Sequence, residues 1–260
     1  MFNKLAVLKN RIIELPALAV AYSGGVDSSL LLKIAYDCLG NRAVAITAAG
    51  INHSSREIED SKDFCRKLGA RQYIIETEPL EIPGFRVNSY ERCYLCKKDI
   101  LGRIKEKARE LGIETVADGS NQDDLADFRP GRKAVEEQGI MTPLLDAALT
   151  KEEIRQLAKH LNLACWDKPA AACLASRFPF GETINAEKLM MVEQAENYLA
   201  ELGFKQLRVR MHGKLARIEL GVDERIKIAD YIIMDKINEK LKELGFTYAT
   251  FDLGGYKCGG

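Results

Sequence analysis

Short apolar runs alternate with amphipathic segments along this chain as far as residue 182. The apolar runs predict buried strands at residues 17–22, 43–48, 72–76, 115–119 and 140–145. Segments with helical spacing of apolar residues lie between and after them, at 28–39, 55–68, 93–111 and 150–163. This alternation predicts an α/β fold with a doubly wound parallel sheet and helices on both faces.

The pattern changes after residue 182. It predicts a helix at 185–202, strands at 205–211 and 215–220, a long helix at 223–244 and a last strand at 247–253. This α-β-β-α-β order indicates a second, smaller α+β domain. We therefore predict two domains, comprising residues 1–182 and 183–260.

Composition and charge narrow the class of protein. The 260 residues are 47% hydrophobic, and 38 Lys and Arg balance 38 Asp and Glu. Proteins that mainly bind long nucleic acids usually show a basic excess, so this balance argues against that class. The apolar runs fall short of the ~20 residues that a membrane-spanning helix needs, and charges interrupt the N-terminal segment, unlike in a signal peptide. We predict a soluble cytoplasmic protein.

The stretch AYSGGVDSS, residues 21–29, joins the first predicted strand to the helix after it. Two glycines let the backbone approach a ligand without Cβ clashes, and a helix start attracts anions. Further donors are the hydroxyls of Ser23, Ser28 and Ser29. Asp27 could hold Mg²⁺ beside phosphates, whereas the lysine of G-x-x-x-x-G-K-[ST] and the G-x-G-x-x-G pattern are both absent. The turn predicts a site for a phosphate-bearing ligand.

An isolated G-G-x-D-S could also be a simple turn with a helix cap, but so many small or polar residues in one junction favour the phosphate site. SGGVDSS resembles the PP-loop of the ATP pyrophosphatase superfamily, which includes tRNA-thiolating enzymes, NAD synthetase and GMP synthetase. The resemblance implies that the turn holds the pyrophosphate of ATP, which is cleaved between its α- and β-phosphates. We assign the nucleotide to Ser23, Gly24, Gly25, Val26, Asp27, Ser28, Ser29, Thr47, Gly119 and Asn121.

A second polar stretch, DGSNQDDLADFRPG at 118–131, follows the end of another predicted strand. Ligands of parallel α/β sheets bind beyond such strand ends. Asp123, Asp124 and Asp127 could assist Mg²⁺ or orient a substrate. An ordinary acidic surface turn is an equal interpretation of these carboxylates.

Cys93 and Cys96 stand three residues apart at the start of a predicted helix. At that spacing both thiols lie on one side of the helix, close enough to share a metal or a cluster. A zinc site would require a second C-x-x-C or a histidine pair, and neither is present. The scattered His53, His160 and His212 are interpreted as surface or core residues. A redox C-x-x-C is an alternative.

Cys173 lies in DKPAAACLASR, between Lys168 and Arg177, whose charges favour a thiolate. This segment and LRVRMHGKLARIEL, residues 207–220, resemble the LarE family of sulfur transferases, which build the nickel-pincer nucleotide cofactor of lactate racemase. The resemblance covers essentially the whole chain and implies that Cys173 handles sulfur. One branch of the family sacrifices the sulfur of this cysteine. Another holds a [4Fe-4S] cluster on this cysteine and a C-x-x-C pair, so Cys93 and Cys96 indicate the second branch.

No sequence motif indicates a chemical role for the other four cysteines. Cys38 and Cys65 lie on apolar helix faces and are interpreted as core residues. Cys165 and Cys258 have no assigned role, and either could be a fourth ligand.

Arg208 and Arg210 alternate on one predicted strand and therefore face one side, as do Arg217 and Glu219 on the next. Paired guanidiniums suit a phosphate, although a solvated face with weak ion pairs is the commoner arrangement. The resemblance to LarE implies a phosphate site for a mononucleotide substrate, formed by Arg208, Arg210, Glu219 and Glu196. Arg177 could bind the same anion.

These residues together predict an ATP-dependent sulfur insertion enzyme with ATP, Mg²⁺ and a [4Fe-4S] cluster. A carboxylate of pyridinium-3,5-biscarboxylic acid mononucleotide would be adenylated with release of pyrophosphate, and sulfur from cluster-bound sulfide or from Cys173 would displace AMP. Asp27, Cys173 and Arg177 are the predicted catalytic residues. The resemblance also implies sulfide or a cysteine desulfurase as sulfur source, a homo-hexamer and no membrane partner.

Three other functions are possible on this sequence. A tRNA thiolase with a three-cysteine cluster is disfavoured by the neutral charge and by the lack of terminal zinc-ribbon C-x-x-C pairs. A non-catalytic ATP-responsive or iron–sulfur carrier would keep the turn for binding alone. An ammonia-using synthetase would leave the cysteines without a role.

Overall fold

A computed structural model describes residues 1–125, 130–169 and 172–256. The chain divides into two compact units. The first comprises Met1–Ile82 and Tyr90–Ala171, and the second Pro83–Ser89 and Ala172–Gly260. The domain boundary between residues 182 and 183 stays a prediction. No helix within the described ranges is long and apolar enough to cross a membrane.

A parallel sheet forms the centre of the first unit. Its strands are β1 (Leu18–Ala21), β2 (Ala43–Ala49), β3 (Arg71–Glu76) and β4 (Val116–Ala117), in the order β3-β2-β1-β4. All neighbouring strands are parallel, which confirms the predicted α/β class. Alternate residues of β1 enter opposite cores, since Leu18 and Val20 pack on one face and Ala19 on the other.

Seven helices of the first unit are described. They are α1 (Phe2–Ile13), α2 (Val26–Leu39), α3 (Ser55–Leu68), α4 (Arg92–Glu110), α5 (Pro130–Glu137), α6 (Pro143–Asp146) and α7 (Lys151–His160). Buried residues of α1, α2 and α7 form one core, and those of α4 and α5 form the other. The sheet is therefore covered on both faces, as predicted. The sequence pattern did not predict α1.

The strand predicted at 140–145 is largely wrong. Within the described residues, only Met141 pairs with the sheet, through an isolated parallel bridge to Ala117. Pro143 then begins α6. Proline has no N–H for a strand ladder, whereas its fixed φ suits the first turn of a helix.

The second unit has the predicted α-β-β-α-β order. Its elements are α8 (Ala186–Glu201), β5 (Leu207–His212), β6 (Leu215–Leu220), α9 (Tyr231–Glu243) and β7 (Tyr248–Phe251). Strands β5 and β6 are antiparallel, and β7 pairs in parallel with β6. The single helix predicted at 223–244 is wrong, because Val222–Ala229 is a 3₁₀ segment and Asp230 caps α9 by accepting the N–H of Ile232 at 2.8 Å.

Candidate functional site

The predicted phosphate turn connects β1 to α2 at the carboxyl end of the sheet. Gly24 has a φ of 74°, a conformation that favours glycine, and Gly25 is the N-cap of α2. Ser28 Oγ accepts a hydrogen bond from Ser23 N at 3.3 Å and donates to Gly25 O at 3.2 Å. The hydroxyl of Ser28 therefore holds the two ends of the turn together.

A cavity of about 340 Å³ opens beside this turn. Five residues assigned to the nucleotide line it, namely Ser23, Asp27, Ser28, Thr47 and Gly119. Ser29 is fully buried, and its hydroxyl lies 3.3 Å from the phenol oxygen of Tyr22. The contact assigned between Ser29 and the nucleotide stays a prediction.

Two lysines that the sequence analysis missed reach the carboxylates around the turn. Lys151 Nζ forms an ion pair with Asp27 Oδ2, and Asn121 Nδ2 donates to Asp27 Oδ1 at 3.4 Å. Lys97 Nζ lies 2.8 Å from Asp118 Oδ2. Lys97 also lines the cavity. The turn has no lysine of its own, but the fold supplies two from distant segments.

No local sequence signal indicates these contacts. The capping box of Thr150 and Glu153 predicts that Lys151 begins a helix, and both of its hydrogen bonds are present. The capping box does not predict that the side chain of Lys151 contacts Asp27, which lies 124 residues earlier in the chain. Lys97 follows Cys93 by one helical turn, which places it near the thiol but does not point to Asp118.

Gly119 lies directly against the turn. A Cβ on this residue would stand 2.9 Å from Ser28 N and 3.2 Å from Asp27 C. Because both are backbone atoms, they cannot move aside as a flexible side chain would. Gly119 therefore allows the end of β4 to pack closely on the start of α2.

The acidic stretch after β4 mainly binds backbone N–H groups. Asp123 Oδ2 accepts from Lys151 N at 2.6 Å, and Asp124 Oδ2 accepts from Asn121 N at 3.0 Å. Asp124 also lines the cavity. Asp127 lies outside the described residues. The assistance of these carboxylates to Mg²⁺ stays a prediction.

His53 is a half-buried part of the cavity wall. Burial lowers the pKa of its imidazole below the ordinary value of 6.5. The ring is therefore neutral near pH 7. On the same wall, Thr47 Oγ1 accepts a hydrogen bond from Gln72 Nε2 at 2.8 Å.

Cys93 and Cys96 both lie in the first turns of α4 in the first unit. Cys93 is exposed and Cys96 is buried. Arg92 Nη2 donates to Cys93 Sγ at 3.4 Å. The sulfur of Cys93 therefore lies beside a guanidinium group in the first turn of a helix.

Cys173 belongs to the second unit, where it is half-buried and precedes the 3₁₀ turn Leu174–Arg177. Among the described residues, no group of three or more His, Cys, Asp or Glu side chains is gathered so that it could hold a metal ion. The three-cysteine ligand set therefore stays a prediction.

Three further cysteines of the first unit lie in its hydrophobic core or pack against it. Cys65 is buried in the core of the first unit and Cys38 packs against that core, which confirms both predictions. Burial raises the pKa of the Cys65 thiol to about 12, so it stays protonated. Cys165 packs against the same core, and Cys258 lies outside the described residues.

In the second unit, Arg177 and Glu196 form a bidentate ion pair. Arg177 Nε lies 2.8 Å from Glu196 Oε1, and Nη2 lies 3.1 Å from Oε2. Arg177 Nη1 also donates to the carbonyl oxygen of Ala172 at 3.1 Å. Two parallel hydrogen bonds to one carboxylate fix the orientation of the Arg177 guanidinium plane.

The hairpin of β5 and β6 places its charged residues on one face, as predicted, since Arg208 pairs with Glu219 and Arg210 with Arg217 across the strands. Glu219 Oε1 accepts from Arg210 Nε at 2.6 Å and from Arg217 Nη2 at 3.0 Å. Glu219 Oε2 is buried and accepts no hydrogen bond from the described residues. A donor on a ligand could satisfy this oxygen.

Several arginine side chains lie together in this cluster. Its cations are Arg177, Arg208, Arg210 and Arg217, and the carboxylates paired with them are Glu196, Glu219 and Asp252. The guanidinium carbon of Arg208 lies 4.5 Å from the ring centre of Tyr256. Guanidinium groups held side by side on neighbouring strands suit a phosphate.

No family model matches the chain. An uncharacterized protein of Synechocystis sp. is 41% identical over 257 residues, which cover 99% of this chain and 96% of that protein. The pyridinium-3,5-bisthiocarboxylic acid mononucleotide synthase of Lactiplantibacillus plantarum is 36% identical over 259 residues, 99% of this chain and 93% of that enzyme. A shorter match, 30% identical over 190 residues, relates 58% of this chain to 51% of the tRNA-specific 2-thiouridylase MnmA of Rickettsia bellii.

Proposed function

This chain belongs to the LarE family of pyridinium-3,5-bisthiocarboxylic acid mononucleotide synthases, and on that premise we propose that it inserts sulfur into pyridinium-3,5-biscarboxylic acid mononucleotide at the expense of ATP. It is an ATP-dependent sulfur transferase of the PP-loop superfamily. The observation that supports the proposal most strongly is the match along 99% of the chain to a relative of that name. The cytoplasmic location and the hexamer expected from the family are part of the proposal.

The first step forms an acyl-adenylate. A substrate carboxylate oxygen attacks the α-phosphorus of ATP, a new P–O bond forms, and the bond to the β-phosphate breaks with release of pyrophosphate. We assign the phosphates to the turn of residues 23–29, because its glycines, hydroxyls and helix start suit an anion. The cavity beside the turn supplies the space for the nucleoside. Holding both reactants in one place lowers the entropic part of the barrier.

Asp27 is the proposed Mg²⁺ ligand. The oxygen donors of Asp27 and Asp118 suit this hard cation, and each carboxylate already accepts the ammonium group of a lysine. When bound, Mg²⁺ would neutralise charge that develops on the leaving pyrophosphate. The protein's own part is to present the carboxylate of Asp27 at the first turn of α2.

The substrate phosphate is assigned to the arginine cluster of the second unit. Arg208 and Arg210 supply guanidinium donors, which suit the oxygens of a phosphate dianion. Glu196 orients Arg177 through two hydrogen bonds. Glu219 orients Arg210 and retains one oxygen for a donor on the substrate.

The second step makes the C–S bond. A sulfur nucleophile attacks the acyl carbon, and the C–O bond to AMP breaks, which leaves a thiocarboxylate. We propose that Cys93, Cys96 and Cys173 hold a [4Fe-4S] cluster, since thiolates suit iron and Cys93 is exposed beside Arg92. When bound, such a cluster would supply sulfur for transfer. Without a cluster, Cys173 itself is the proposed sulfur source: its thiolate would displace AMP to form a thioester, and loss of the Cα proton would then break the Cβ–Sγ bond, which releases the thiocarboxylate and leaves dehydroalanine at residue 173.

The function is tested anaerobically with ATP, Mg²⁺ and pyridinium-3,5-biscarboxylic acid mononucleotide. We expect substrate-dependent release of pyrophosphate and AMP, and a product in which mass spectrometry finds sulfur in place of oxygen. Cys173→Ala should keep pyrophosphate release and lose sulfur transfer, whereas Asp27→Asn should lose both. Pyrophosphate release that does not depend on the substrate would overturn the proposal.

The sulfur source is tested by iron and sulfide analysis of the anaerobically reconstituted protein. About four irons per chain, lost in each of Cys93→Ala, Cys96→Ala and Cys173→Ala but retained in Cys38→Ala, would support the cluster. A protein without iron whose mass at residue 173 falls on turnover by the mass of one H₂S would instead assign the transferred sulfur to Cys173.

A second candidate function is tRNA thiolation, which the match to MnmA favours. That match covers 58% of this chain, and the chain has no net charge for a polyanion. Thiolation of tRNA by the purified enzyme, together with a tRNA affinity that falls steeply with salt, would favour it over the mononucleotide.

A further inference from the structure

The chain turns back across the second unit after β7. Asp252 N donates to Ile218 O at 2.9 Å, and Tyr256 N donates to Leu220 O at 2.9 Å. Both acceptors lie on β6, the strand that also supplies two charged residues of the arginine cluster. Residues 252–256, which we call the C-terminal segment, are therefore bound to β6 at both ends.

The backbone of the C-terminal segment is held between its two ends as well. Gly254 N donates to Asp252 Oδ1 at 2.7 Å. From the 3₁₀ segment before α9, Arg225 Nη2 donates to Gly254 O at 2.7 Å, and Arg225 Nη1 donates to Leu253 O at 3.3 Å. One guanidinium thus binds two consecutive carbonyl groups, which fixes the path of the segment.

The C-terminal segment brings two side chains to the arginine cluster. Asp252 Oδ2 lies 3.3 Å from Arg217 Nε. The ring centre of Tyr256 lies 4.5 Å from the guanidinium carbon of Arg208, which is the distance of a cation–π contact. Arg208 is only 3% exposed. A cation–π contact is strongest when the cation is shielded from water, as it is here.

A tyrosine ring restrains a guanidinium differently from a carboxylate. Glu196 holds Arg177 by accepting two of its N–H groups. The face of the Tyr256 ring attracts the charge of Arg208 without accepting an N–H hydrogen bond. The ring therefore restrains the guanidinium without competing with a phosphate oxygen for a donor.

Building on the proposed function, we propose that Tyr256 is a positioning residue for Arg208, and that the C-terminal segment thereby selects the phosphorylated substrate over its nucleoside. The ring holds the guanidinium in the orientation in which it binds the phosphate. Arg225 supports the same contact, since it anchors the segment that carries the ring. ATP is assigned to the turn of the first unit, so Tyr256 should not affect the affinity for ATP.

Two ligands that differ only in the phosphate test this role. They are pyridinium-3,5-biscarboxylic acid mononucleotide and its dephosphorylated nucleoside, titrated calorimetrically without ATP. We expect Tyr256→Leu to bind the mononucleotide about 5- to 30-fold more weakly than the wild type and the nucleoside equally well. In turnover, the KM for the mononucleotide should rise, whereas kcat and the KM for ATP should stay at the wild-type values.

Three further variants serve as controls. Tyr256→Phe keeps the ring and should bind the mononucleotide like the wild type. Tyr198→Leu is the matched control, because it removes a ring of the same unit that lies 6.0 Å from Lys240 Nζ and from no arginine of the cluster. It should also bind like the wild type. Arg225→Met removes the anchor and should weaken mononucleotide binding, with little further loss when it is combined with Tyr256→Leu.

The outcomes separate this inference from the proposed function. Wild-type affinity for the mononucleotide in folded Tyr256→Leu, or an equal loss of affinity for both ligands, would overturn the selection by Tyr256 and leave sulfur transfer intact. Tyr256→Phe as weak as Tyr256→Leu would overturn the ring contact. If Tyr256→Leu folds poorly, wild-type selectivity in Arg225→Met would overturn the role of the segment. A wild-type protein that binds the nucleoside as tightly as the mononucleotide would overturn the phosphate site and this inference together.

Discussion

Glu196 joins Arg177 to strand β5 through one carboxylate. Its Oε1 accepts from Arg177 Nε at 2.8 Å and from Val209 N at 2.9 Å, and its Oε2 accepts from Arg177 Nη2 at 3.1 Å. The two charged side chains are only 8% and 15% exposed. Because both side chains are shielded from water, the pair matters to the stability of the fold mainly by ensuring that neither buried charge is unpaired.

Removal of one partner should therefore be costly. Arg177→Met leaves a shielded carboxylate, and Glu196→Gln leaves a shielded guanidinium, so each should lower the free energy of unfolding by about 3–5 kcal/mol. The double variant should lose less than the sum of the two, because it leaves no unpaired charge. Urea unfolding of the four proteins measures the coupling.

The control is the exposed ion pair of Lys62 and Glu59, whose side chains are 45% and 68% exposed. Lys62→Met and Glu59→Gln should each change the free energy of unfolding by about 1 kcal/mol or less. If the double variant of Arg177 and Glu196 loses as much free energy of unfolding as the two single variants together, the prediction is wrong.

Gly119 should not tolerate a methyl group. In Gly119→Ala, the new Cβ would meet Ser28 N at 2.9 Å and Asp27 C at 3.2 Å, so the backbone at the turn must shift. We expect a loss of about 1–3 kcal/mol in the free energy of unfolding and weaker ATP binding. Thermal unfolding and isothermal titration with ATP and Mg²⁺ measure the two effects.

Gly102, inside α4, provides the comparison. A Cβ there has no heavy atom within 4 Å. Gly102→Ala should therefore keep ATP binding and stabilise the helix by up to about 1 kcal/mol. If Gly119→Ala behaves like Gly102→Ala, close packing at β4 is not what positions the turn.

Local patterns predicted most of the fold. The apolar spacing of 55–68 matches α3 (Ser55–Leu68), and the capping box at Thr150 correctly marks the start of α7. The errors occur where a single residue breaks a periodic pattern. Pro143 begins α6 instead of continuing a strand, and Asp230 caps a new helix within the segment predicted to be one.

The candidate site was predictable only in part. Side chains within the turn and on the hairpin follow from local spacing, which explains why Ser28 and Arg210 were identified. Lys151 contacts Asp27 across 124 positions of the sequence, and Lys97 contacts Asp118 because α4 packs beside β4. Such contacts depend on the order of strands in the sheet, which periodicity does not specify.

Glu153 should make the stability of the first unit depend on acid pH. The Lys4 ammonium group and the Thr150 N–H bind its charged form and lower its pKa from the ordinary 4.5 to about 2. A carboxylate with a depressed pKa stabilises the fold fully above its unfolded pKa, and this contribution is lost as the pH falls from about 4.5 to about 2.

Glu153→Gln keeps an acceptor for the Thr150 N–H but loses the charge that binds Lys4. At pH 7 we expect its free energy of unfolding to be lower than that of the wild type by about 1 kcal/mol. The difference should shrink steadily below pH 4.5 and be small near pH 2, because the wild-type carboxyl group is then protonated in the unfolded state and about half protonated in the folded state. Urea unfolding at a series of pH values measures it, and Lys4→Met should show the same pH dependence because it removes the other half of the pair. A difference that stays constant from pH 7 to pH 2 would show that the charge of Glu153 does not stabilise α7, and that the cap acts through its neutral hydrogen bonds alone.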